Sequence, residues 1–150
     1  MLKSLTMKKI LFLLLMMLPF MAKAQEVYHI KFIPSSQTLH SVAAVIFDDN
    51  TGKMRVLYNN GSGDRLIEMD IKVEDDADGF YLHGSNPKNV RSAGAANYNA
   101  DHFYIGIDAD GEIYCRNSDD AHSSSDCCIM EVEGGKNQNL FLKEFDWSLD

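Results

Sequence analysis

Basic side chains are scarce in this chain of 150 residues, where 14 Lys and Arg stand against 22 Asp and Glu, a net charge of −8. Four of the lysines, Lys3, Lys8, Lys9 and Lys23, fall within residues 1–24. Without that stretch, ten bases face 22 acids and the charge is −12. So acidic a surface argues against a nucleic-acid partner, because phosphate contacts need a basic face. After residue 24 no apolar run approaches the ~20 residues of a membrane-spanning helix. Cysteine is limited to Cys115, Cys127 and Cys128. No second thiol–histidine cluster completes a tetrahedral site around them, so no metal is expected. Gly134-Gly135 lacks the context of a phosphate loop, and no cofactor is expected either.

What is present begins with an export pattern. Met1–Lys9 is basic, Ile10–Met21 is almost wholly apolar, and Ala22-Lys23-Ala24 places small residues around one lysine. That order describes a secretory signal peptide, 1–24, cut before Gln25. Met7 offers a second start, since Met7-Lys8-Lys9 alone supplies a basic end. Residues 25–150 are then expected to form a single β-rich domain in the periplasm, in the cell envelope or outside the cell. A chain of that length buries roughly two-thirds of its unfolded surface. Its 45% hydrophobic content is that of a globular protein.

Alternation with period two dominates the mature chain. Ile67, Met69, Ile71 and Val73 alternate with Glu68, Asp70, Lys72 and Glu74, as a strand with one buried face requires. Tyr28, Ile30 and Phe32 form a similar row, as do Met54, Val56 and Tyr58, then Phe103, Ile105 and Ile107, then Cys128, Met130 and Val132. Residues 42–47 are apolar on both faces and read as a central strand. Residues 140–148 fit either a strand face or a short helix. Asp49–Gly52, Asp76–Gly79 and Asp108–Gly111 share the form Asp-x-x-Gly. In that form aspartate bonds to the turn backbone and glycine takes a positive φ. The expected class is all-β, with about nine antiparallel strands in a β-sandwich or an up-and-down, lipocalin-like barrel.

Followed as a simple meander, the chain sorts its connections. The three Asp-x-x-Gly turns gather at one end, and 60–64, 85–101 and 117–126 gather at the other. Long loops on a rigid scaffold are where function concentrates. The ligand-binding candidates are therefore Lys88, Arg91, Tyr98 and Asp101 of the longest loop, with His102 and His122 at the same end. Lys88 and Arg91 could meet an anionic group, and Tyr98 offers a flat face and a hydroxyl. Glu74, Asp76 and Asp78 imitate the start of a calcium loop, but Ser85 stands where its glutamate belongs. In an oxidising compartment a disulfide is expected between Cys115 and one of the adjacent pair, and Cys128, sharing a row with Met130 and Val132, is the chosen partner.

No catalytic constellation stands out. Ser123–Ser125 with His122 and Asp126 are too close in sequence for a triad, whose members come from separate elements. The expected function is a non-enzymatic binding or interaction domain for a protein, glycan or small molecule. One alternative is a small-molecule carrier with its ligand inside a closed barrel. Another is a hydrolase using Asp101 with Asp119 or Asp120 as paired carboxylates.

Overall fold

The computed structural model describes residues 25–35 and 38–148, so the expected leader, 1–24, lies outside the described residues. Eight strands follow one another around a closed antiparallel barrel. They are β1 (Glu26–Phe32), β2 (His40–Ile46), β3 (Thr51–Asn59), β4 (Asp64–Asp76), β5 (Gly79–Asn89), β6 (Asp101–Ile107), β7 (Ile113–Asp119) and β8 (Ser124–Glu131). Each pairs with its sequence neighbour, and β8 closes on β1. The up-and-down barrel is thus the form adopted, and the ninth element is a helix, α1 (Lys136–Lys143).

Side-chain parity builds the interior. Ile129 faces Ile30, Ile30 faces Val42, Val42 faces Val56, and Val56 faces Ile67 across successive strands, so one apolar layer runs around the wall. Above and below it Met54, Met69, Leu82 and Phe103 are fully buried. A Cβ on Gly84 would collide with Met54 Cε and lie 3.2 Å from Met69 Sδ, so the middle of the barrel is filled by side chains.

A second apolar cluster explains why 42–47 is greasy on both faces. Val42, Ala44 and Ile46 point inward, whereas Ala43 and Val45 point outward and are buried under Leu142 and Phe145 of the C-terminal segment. Burying two side chains of that size stabilises the fold by about 1.5–3 kcal/mol each. Arg55 fastens the segment. It bonds Glu68, donates to the Phe145 and Asp146 carbonyls, and lies 5.0 Å from the Trp147 ring centre.

Three local expectations are corrected. First, the row Cys128, Met130, Val132 does not face the core. Both parities of β8 are apolar, and pairing with β1 decides between them: Ile129 and Cys127 oppose Ile30 and Phe32, leaving Cys128 and Met130 outside. Cys127 also sits opposite Cys115 in register, with Cα atoms 4.9 Å apart, and the disulfide is Cys115–Cys127, not Cys115–Cys128. Second, only Gly111 meets the positive-φ expectation for the Asp-x-x-Gly turns. At 49–52 the positive φ belongs to Asn50, and Gly52 and Gly79 are instead required by close approach to carbonyls across the barrel wall. Third, β5 continues to Asn89 by way of a bulge opposite Glu68–Asp70, where Asn86 adopts a φ of 54°. The long loop is therefore 90–100, and the link between β7 and β8 shrinks to 120–123.

Candidate functional site

The meander places residues 33–35 and 38–39 and loops 60–63, 90–100 and 120–123 at one end of the barrel, with the last residues of β1, β3, β5 and β7 and the first of β2, β4, β6 and β8. A recess of about 380 Å³ opens there. Its apolar lining comes from Phe32, Pro34, His40, Tyr58 and Tyr98. Its polar lining comes from Ser35, Thr38, Asn60, Asn97, Asn99, Asp101 and Asp119.

Parity explains the rings. His40 and Tyr58 extend the inward rows of Val42 and Val56 by one step each, beyond the point where core side chains fill the barrel. They stack with centroids 4.5 Å apart and planes within 9°. Phe32 closes one side of His40, at 5.0 Å. The long loop brings the fourth ring, Tyr98, to 5.5 Å from Tyr58 and 6.2 Å from His40. That loop is pinned at its start by Asn89, which donates to the Ala95 carbonyl, and at its end by the Asp120 N–H on the Ala100 carbonyl. A bond between the Ser35 and Ser123 hydroxyls ties two further loops together.

Beneath Tyr98 lies a buried carboxyl. Asp101 accepts the Tyr98 hydroxyl at 2.6 Å on one oxygen and Asn117 Nδ2 at 3.1 Å on the other. Burial pushes the carboxyl up to about 6, against the opposing pull of those two hydrogen bonds, and the neighbouring Asp119 adds to the rise. Burial likewise raises the Tyr98 and Tyr58 phenols, so both remain protonated. Burial lowers His40, which is neutral at pH 7. His40 Nδ1 lies 2.9 Å from the Thr38 carbonyl, which can only accept, so Nδ1 carries the proton and Nε2 is a bare acceptor.

Asp119 is the direct cross-strand partner of Asp101 and shares its face. One of its oxygens accepts the Ser123 N–H. The second oxygen, the Tyr58 hydroxyl and the Asn97 and Asn99 amides have no partner among the described residues. No Lys or Arg lines the recess. Among the described residues no group of three or more His, Cys, Asp and Glu is arranged to hold a metal ion.

Of the six candidate residues, the structure brings together Tyr98 and Asp101. Lys88 is exposed on the outer wall, in register with Glu68. Arg91 turns outward to Asp146, 2.9 Å away, and fastens the C-terminal segment. His102 has the opposite parity to Asp101, so it lies outside the barrel, bonded to Asp120 at 2.6 Å. His122 is exposed in the β7–β8 turn with a φ of 63°. Sequence reasoning overlooked Phe32, His40, Tyr58 and Asn117, of which His40 and Asn117 are buried polar side chains. The signal was available, because all four lie at strand ends on inward parity.

Two other depressions differ in chemistry. One at the opposite end, about 360 Å³, is flanked by Asp48, Asn50 and Asp75. One of about 600 Å³, also at the turn end, lies between the 77–79 and 108 turns beside exposed Ile107 and Ile113 and has few polar groups. Neither combines stacked rings with a buried carboxyl. Comparison with protein-family models, with curated proteins and with solved structures finds no match to this chain.

Proposed function

We propose that this chain is an exported, non-enzymatic binding protein whose ligand seats in the ring-lined mouth of the barrel. The observation that carries this reading is the concentration of unengaged polar atoms among stacked rings in one recess. A recess of about 380 Å³ falls within the usual range of ligand sites. The Cys115–Cys127 disulfide and the leader pattern support an oxidising, exported setting.

The filled middle of the barrel weighs against a carrier that encloses its ligand deep inside. The hydrolase reading gains one observation, since Asp101 and Asp119 are cross-strand neighbours in the recess and one is held near pH 6. It weakens on accessibility: Asp101 is 3% exposed and both its oxygens are engaged, so it serves better to hold Tyr98 than to reach a substrate.

A thermal-shift screen tests the reading. The protein and its Asn97→Trp variant, which narrows the mouth at an exposed position, are heated with panels of sugars, amines, carboxylates and phosphate esters. At least one panel should raise the melting temperature of the native protein and leave the variant unmoved. If no panel acts, or both proteins respond alike, the mouth is not the binding site.

A further inference from the structure

Buried carboxylates ordinarily face a cation, because an unpaired buried charge is costly. Asp101 does not. Both of its hydrogen-bond donors, Tyr98 and Asn117, are neutral. Asp119 opposes it with a second negative charge and an oxygen left open to the recess. The groups facing this pair are Tyr58 from β3, neutral His40 from β2 and Tyr98 from the loop. His102 points to the outside and is engaged by Asp120, and the arginine beside the mouth is Arg65 of β4, the exposed cross-strand partner of Tyr58. The recess is thus lined by two carboxylates, three electron-rich rings and a bare imidazole acceptor, with no Lys or Arg in the lining and Arg65 beside Tyr58 at its rim.

Resting on the reading of the mouth as a ligand site, we propose that it takes a small organic cation, with an ammonium group placed against Asp119 and the Tyr58, Tyr98 and His40 rings. Asp101 acts one group back. Its carboxylate accepts a hydrogen bond from the Tyr98 hydroxyl, which makes that ring a better partner for positive charge, and it adds to the negative potential of the floor. The bare His40 Nε2 and the Asn97 and Asn99 amide oxygens are acceptors suited to an ammonium N–H. Anionic ligands are repelled by the carboxylate pair. A neutral sugar would leave that pair without a counter-charge.

The test is calorimetric titration of the full-length protein with choline, ethanolamine, glucose and acetate at pH 7.5 and pH 5.0. One or both amines should bind saturably at pH 7.5. Affinity should fall roughly tenfold at pH 5.0, where Asp101 carries a proton, and roughly tenfold in Asp119→Asn, whose amide oxygen still accepts the Ser123 N–H. A near-ultraviolet circular dichroism spectrum matching the native one keeps the variant informative. Binding of glucose without either amine overturns the cation inference and leaves the mouth reading standing. Amine binding that ignores both pH and Asp119→Asn also overturns it. No saturable binding of any probe overturns both.

Discussion

Asp101 makes the barrel sensitive to pH in a direction opposite to most paired carboxylates. Its ordinary value is 3.8, and in the fold it is held at about 6. The folded protein therefore binds this proton more tightly than the unfolded chain does. Above pH 6 both states are ionised, and the fold carries the cost of a buried charge. As pH falls through 6 the folded state is protonated first, and the stability gained is complete below 3.8. At about 1.4 kcal/mol per decade, the interval corresponds to about 3 kcal/mol. Other carboxylates work the other way. Glu68, held down by Arg55 and Lys53 against its partial burial, Asp70 beside Asn86 and Lys53, and Asp146 beside Arg91 all lose stabilising contacts on acidification. Asp101→Asn isolates the single group. Its amide oxygen can accept from Tyr98 or from Asn117 but not both, a penalty of about 1–3 kcal/mol that is the same at every pH. Urea denaturation of both proteins between pH 4 and pH 7.5 should show the native protein gaining about 2–3 kcal/mol on the variant as pH falls, on the order of 10 °C in melting temperature. Parallel stability curves, separated by a constant amount, would refute the account of Asp101.

Arg55→Ala strips Glu68, the Phe145 and Asp146 carbonyls and the Trp147 ring of a common partner, so the urea midpoint should drop by the equivalent of about 2–4 kcal/mol. Trp147 emission should shift to the red before the barrel unfolds, and an unchanged midpoint would show that the C-terminal segment is held by other means. Unreduced protein should show one reactive thiol, Cys128, and replacing Cys128 by Ala should leave stability unchanged. Replacing both Cys115 and Cys127 by Ala should cost about 3 kcal/mol, measured by the same denaturation. Protein recovered from the cell envelope or medium should begin at Gln25; material that retains Met1 or Met7 in the reducing interior of the cell contradicts export.

Much of the barrel was legible because its strands obey strict parity. Ile67, Met69, Ile71 and Val73 announce an inward face, whereas the double-sided apolar run 42–47 reads as a central strand and owes its second buried face to a cover on the outer wall. The identity of that cover was not legible, since Phe141, Phe145 and Trp147 suit either a strand or the helix that forms. On β8 both parities are apolar, so only pairing with β1 selects Cys127 over Cys128. At the mouth, Tyr98 and Asp101 emerged from loop length and turn direction. Lys88 falls in β5 because that strand runs further than its composition suggests, through a bulge at Asn86-Pro87, whereas Arg91 stays in the loop and turns to Asp146. His40 and Tyr58 could have been found by extending the inward rows to their strand ends.

The most direct measurement of the central claim is two-dimensional NMR of isotope-labelled protein titrated with choline chloride and, separately, with ethanolamine hydrochloride, at least one of which should bind. The account predicts saturable shifts confined to 38–40, 58–60, 97–101 and 117–119, with the Tyr58 and Tyr98 ring signals moving together. Saturable shifts at Asp48–Asn50 or at Ile107 and Ile113, with the mouth silent, would contradict it.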